Sequence, residues 1–121
     1  IHDDLLNLEA DETLYGKEIS GDLWEGKRTV MLLHFLRTAS KAERTRALRL
    51  LAAPRAQKST DEVAWLLDAM AAAGSLEHGR ALAREYSERA LDHDATLEFL
   101  NLHDDRRFLH EMLLYVIHRV K

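Results

Sequence analysis

Apolar residues recur at helical spacing along most of this chain, and the pattern breaks at glycine, proline and capping residues. Leu5, Leu6 and Leu8, in register with Asp3 and Asp4, predict a helix that is already under way at residue 1 and runs to about Glu9. Residues 10–26 are polar, with glycines at 16, 21 and 26, and predict a connection of a length usually reserved for functional or disordered loops. Lys27 to Thr38 carries Val30, Met31, Leu32, Leu33, Phe35 and Leu36, so it is apolar on nearly every side and predicts a buried helix.

Ser40 with Glu43 reads as a capping box opening a helix that runs to Ala53, where Pro54 stops it. Ser59 with Glu62 opens another, with Val63, Leu66, Leu67 and Met70 on one face. Gly74 closes that helix, and Ser75 is placed to cap the next, Leu76 to Leu91, with Gly79, Leu82, Ala83 and Tyr86 on a small-residue face. After a connection with a short turn at Thr96 to Leu100, the last helix spans Asp104 to Val120. Leu109, Met112, Leu113, Val116, Ile117 and Val120 form its stripe. No repeat period appears. The pattern predicts one all-α unit over residues 1–121.

Composition agrees. Leu and Ala supply 38 of the 121 residues, Val and Ile seven, and there is one proline. A net charge of −4 argues against non-specific binding to nucleic acid or anionic membrane. The longest apolar run is too short to span a bilayer, so no membrane span is expected. The absence of cysteine removes disulfides and thiolate metal sites and suits a cytoplasmic location. The chain starts at Ile1, inside a helical pattern, which predicts a piece of a longer protein that lacks sequence on its N-terminal side.

The chemistry concentrates in the first 29 residues. Asp3, Asp4 and Asn7 lie within one helical turn of each other, an oxygen set suited to Mg²⁺, which commonly bridges carboxylates to a substrate phosphate. An acidic helix start is the competing reading, and Asp104-Asp105 is read that way. Lys17 and Lys27 each follow a glycine, where backbone can approach a ligand closely, and a lysine ammonium is a compact charge for phosphate. Gly21 to Lys27 has P-loop spacing. However, Arg28 stands where that motif needs Ser or Thr, no strand precedes it, and Asp22 and Glu25 would repel phosphate.

Taken together, DDLLN, YGK and SGDLWEGKRTVMLL resemble the second half of the trans-isoprenyl diphosphate synthases, the polyprenyl synthetase family. Asp3 and Asp4 match the first two aspartates of that family's second Asp-Asp-x-x-Asp motif, and Asn7 stands in for the third. Lys17, Asp22, Leu23, Glu25, Gly26, Lys27 and Thr29 match the segments that follow. The motifs cover about the first quarter of the chain.

The resemblance implies the C-terminal portion of an all-α bundle of mostly antiparallel helices built around a deep cavity. The implied activity is condensation of an allylic diphosphate with isopentenyl diphosphate into a longer trans-polyprenyl diphosphate. It implies Mg²⁺ as cofactor, with Asp3 binding the metal directly, Asp4 supporting the site and Asp22 acting through a metal-bound water. Asn7 would be a weaker, neutral ligand. Lys17 and Lys27 would hold the allylic diphosphate, and the intact protein would be a homodimer. The first aspartate-rich motif and the isopentenyl diphosphate-binding basic residues lie upstream in the family and are absent here, so the chain alone is expected to be inactive.

Other candidates read more plainly. His110-Glu111 begins like a zincin motif, but residue 114 is Leu. His34 reads as a hydrogen-bonded core residue, and Trp24 and Trp65 as packing residues. Arg119 and Lys121 read first as cations at the negative end of a helix, and by resemblance as an isopentenyl diphosphate contact. Two alternatives stand beside the enzyme: a non-catalytic partner subunit of such a synthase, and a helical-repeat interaction module built on residues 40–91.

Overall fold

The computed structural model describes residues 1–9, 20–96 and 103–118, and all regular structure among them is helical. The elements are α1 (His2–Glu9), α2 (Gly21–Glu25), α3 (Val30–Thr38), α4 (Lys41–Ala52), a 3₁₀ turn (Arg55–Gln57), α5 (Thr60–Ala72), α6 (Ser75–Thr96) and α7 (His103–His118).

The helix starts follow local chemistry. Thr29 caps α3 by accepting the Leu32 amide at 3.3 Å. Ser40 and Glu43 form the reciprocal capping box of α4, at 3.3 and 3.0 Å. Ser59 accepts the Glu62 amide at the start of α5. Pro54 ends α4 and leads into the 3₁₀ turn.

The chain divides into two compact units, Ile1–Arg80 and Ala81–Lys121. In the first, α1 packs on α2, α2 on α4, α3 on α4 and α5, and α4 on α5. The core joins Leu5 and Leu8 of α1, Leu23 of α2, Met31, Leu32 and Phe35 of α3, Ala47, Leu50 and Leu51 of α4, and Val63, Leu66 and Met70 of α5. Each large side chain fully withdrawn from water contributes about 1.5–3 kcal/mol. Gly79 of α6 lets that helix come close, since a Cβ there would sit 2.6 Å from the Met31 sulfur. In the second unit, Tyr86, Phe108, Leu109, Met112 and Tyr115 are exposed. Among the described residues no helix is long and apolar enough to cross a membrane.

Four expectations change. Residues 21–25, read as loop, form α2. The third helix begins at Val30 rather than Lys27, and it is not buried all round, because Leu33 is 44% exposed. Ser75 lies inside α6 rather than before it; it is buried, and its Oγ is 3.0 Å from His34 Nδ1. The α7 stripe is not a buried seam where it is described: Leu109 and Met112 are exposed and Leu113 is half-buried, while the side chains of Val116, Ile117 and Val120 lie outside the described residues.

Candidate functional site

Lys27 is the hub of the N-terminal region. Its ammonium donates to Asp4 Oδ1 at 2.6 Å and to Asp22 Oδ2 at 3.1 Å, joining α1, α2 and the turn that follows α2. The backbone sets up this geometry. Gly26 takes φ 73°, a left-handed conformation that glycine adopts without steric cost. The turn sends the chain back so that the Lys27 amide donates to Asp22 O at 2.8 Å. Burial pushes the Asp4 carboxyl up, but the Lys27 hydrogen bond and the charges of the N-terminal ammonium and Lys27 outweigh it and hold Asp4 below its ordinary value. The hydrogen bonds to Asp4 and then Asp22 raise the Lys27 ammonium well above the ordinary lysine range.

Asn7 anchors the other end of α2. Its Oδ1 accepts the Asp22 amide at 3.1 Å, and its backbone carbonyl accepts the Ser20 amide at 2.9 Å. Ser20, in the N-cap position with φ 59°, makes no side-chain cap bond itself, so Asn7 supplies the missing acceptor from another helix. An amide oxygen serves this purpose as a carboxylate would, which gives the Asp-to-Asn departure in the motif a structural rationale. Lys58, which the sequence did not single out, holds the C-terminal end: its buried ammonium donates to the carbonyls of Leu23 at 3.0 Å and Trp24 at 2.6 Å.

The fold thus brings together Asp4, Asp22 and Lys27, with Asn7 bracing them. Asp3 is exposed and makes no ion pair among the described residues. Lys17, Arg119 and Lys121 lie outside the described residues. Thr29 is buried and used as a helix cap. The segment from Gly21 is helical rather than a phosphate loop, in keeping with rejection of the P-loop reading. Trp24 and Trp65 pack beneath guanidinium groups, Arg55 at 5.5 Å and Arg46 at 3.7 Å from the ring centroids.

Among the described residues no three His, Cys, Asp or Glu side chains converge on a point. What does converge is a pair of carboxylates already sharing one cation, with an exposed third carboxylate beside Asp4 in sequence. Asp3 and Asp4, as neighbours on a helix, do not face each other, and Lys27 neutralises the Asp4–Asp22 pair, so the described residues hold no preassembled metal site.

Comparison with known proteins agrees with this arrangement of motifs. The polyprenyl synthetase family model matches residues 1–70. The chain is 32% identical to a short chain isoprenyl diphosphate synthase of Methanothermobacter thermautotrophicus, over 98% of this chain and 34% of that protein. It is 28% identical to a geranylfarnesyl diphosphate synthase of Aeropyrum pernix, over 100% of this chain and 36% of that protein. It is 34% identical to an octaprenyl diphosphate synthase of Escherichia coli, over 74% of this chain and 27% of that protein. The chain therefore spans about a third of the length of the relatives it matches most fully. With the family model covering more than half of its residues, and Asp4, Asp22 and Lys27 gathered at one point, the chain belongs to the polyprenyl synthetase family.

Proposed function

We propose that this chain is the C-terminal, second-motif portion of a trans-isoprenyl diphosphate synthase. The whole enzyme condenses an allylic diphosphate with isopentenyl diphosphate into a longer trans-polyprenyl diphosphate. The observation that carries the reading is the single ammonium of Lys27 shared by Asp4 and Asp22, which joins motif residues from two helices into one charged site.

The reaction breaks the allylic C–O bond. Pyrophosphate leaves with the bonding electrons, and the electron-deficient allylic carbon is attacked by the isopentenyl double bond. The barrier lies in the charge that builds on the leaving group. Mg²⁺, when bound, supplies neutralisation of that charge. Asp3 and Asp4 are the residues that would hold it, with Asp22 acting through a water. Lys27, and by motif Lys17, are cations for the diphosphate oxygens, each able to make a charge-assisted contact. No protein nucleophile takes part. The isopentenyl diphosphate contact at Arg119 and Lys121, the homodimer and the upstream half carrying the first motif belong to the same proposal.

A titration of pyrophosphate into the full chain tests the reading. Binding is expected with Mg²⁺ and not without it, and about tenfold weaker in Asp3→Ala, Lys17→Ala and Lys27→Ala, the worth of one charge-assisted contact. Binding that ignores Mg²⁺, or all three substitutions, would overturn it. A non-catalytic partner subunit is the second reading, favoured by one observation: residue 7 is Asn, so the third carboxylate of the motif is missing. Activity restored by Asn7→Asp in an otherwise inactive assembled enzyme would favour that second reading.

A further inference from the structure

Among the described residues Lys58 is the only charged side chain that is buried, at 8% exposure. It meets no carboxylate there; its two acceptors are the backbone carbonyls of Leu23 and Trp24. We propose that Lys58 is a positioning residue for the diphosphate site, acting through the C-terminal end of α2 to fix Asp22 and Lys27. This rests on the function proposed above.

The path is short. Leu23 O accepts from Lys58 Nζ at 3.0 Å and from the Gly26 amide at 3.1 Å, so one carbonyl ties the ammonium to the left-handed turn. The next amide, that of Lys27, bonds back to Asp22 O, and the Lys27 side chain then reaches Asp22 and Asp4. Gly26 sits between Leu51 O and Lys58 Nζ, at 2.9 and 3.7 Å from where its Cβ would be. The turn that aims Lys27 is therefore braced from behind by α4 and by Lys58.

Five residues of helix cannot hold themselves in water. Asn7 secures one end of α2 and Lys58 the other, each from a different part of the chain. Stability alone gives little reason for a cation here. Burying an ammonium without a counter-ion is costly, and an apolar side chain of similar volume is often neutral or better in such a place. Burial, and secondarily Arg55, push the Lys58 ammonium below its ordinary value, in keeping with that cost. What an apolar chain cannot do is donate to two carbonyls at a helix end.

Three measurements on the full chain test this, comparing Lys58→Met with the unsubstituted protein. Thermal unfolding is expected to be unchanged or slightly raised. The proton–nitrogen NMR signal of the Lys27 ammonium, visible while it is held by Asp4 and Asp22, is expected to fade through exchange with water. Mg²⁺-dependent pyrophosphate binding is expected to weaken about tenfold. In an Asp22→Asn background the same Lys58 change is expected to cost clearly less, because one of the two groups it positions is already gone. A folded Lys58→Met protein with the Lys27 signal and affinity intact overturns the proposal. So does an equal loss in both backgrounds, and so does a Lys58→Met protein that fails to fold, which would make Lys58 a folding residue. If the unsubstituted protein binds no pyrophosphate, the proposed function fails, and the Lys27 signal still decides the role of Lys58.

Discussion

At position 26 a side chain is excluded by a backbone atom. A Cβ there would lie 2.9 Å from Leu51 O, and φ is 73°. Gly26→Ala is expected to cost about 1–2 kcal/mol for the left-handed conformation alone, and more for a contact that cannot yield. Urea unfolding would measure the loss, and pyrophosphate affinity should fall with it as Lys27 is displaced. The Asp4–Lys27 pair has its own pH signature. Asp4 is depressed, so its contribution is complete above 3.8, the unfolded value, and is lost as pH falls further. Lys27 is raised, so its contribution is complete below 10.5 and is lost only as pH climbs through its higher folded value. The stability difference between the protein and Asp4→Asn should stay flat from about pH 5 to about pH 7 and shrink in stronger acid. Most of this chemistry was legible: Asp4, Asp22 and Lys27 stand in recognisable motifs. Lys58 was not, because nothing in its neighbours along the chain tells a buried lysine from a solvated one. The role of Asn7 as a cap was hidden because its target lies 15 residues away.

Elements with their own periodicity and caps were legible from the pattern. The starts of α4 and α5 lie where their Ser-x-x-Glu signatures put them. Helix α2 was not, because a five-residue helix carries no period and is held by groups supplied from elsewhere. Ser75 looked like a cap by type, yet its hydroxyl is used between helices, against His34 of α3. The α3–α6 packing is expected to be pH-sensitive. His34 also stacks on His78, with centroids 4.3 Å apart. Burial first, then the charges of His78 and Arg37, lower its pKa below the ordinary 6.5. A depressed histidine contributes stability above its unfolded value and loses it as pH falls, so melting temperature should drop below about pH 6.5, and less so in His34→Gln. Gly79→Ala should destabilise the same interface by about 1–3 kcal/mol, since Met31, fully buried, has to move.

For the whole molecule, the relevant quantity is how much of a synthase is present. The relatives are about three times as long as this chain. The 121-residue chain alone is expected to incorporate no labelled isopentenyl diphosphate into longer products, and turnover by it would contradict the proposed division of labour. The all-α architecture was readable from the abundance of Leu and Ala and the scarcity of β-branched residues, which act along the entire chain. The division into two units at Arg80 was not, because it falls inside one helix, and the glycine beside it, Gly79, reads as part of a small-residue face.

The shared ammonium of Lys27 has a consequence for chemical labelling. A lysine attacks an acylating reagent only after shedding its proton, and two carboxylates make that proton hard to lose. Half exposed as it is, Lys27 should therefore acetylate more slowly than the exposed Lys41. Replacing Asp4 by asparagine should speed the modification, which peptide mass spectrometry can follow over time. Here accessibility and nucleophilicity part company, and a footprint read as burial would misplace the half-exposed Lys27.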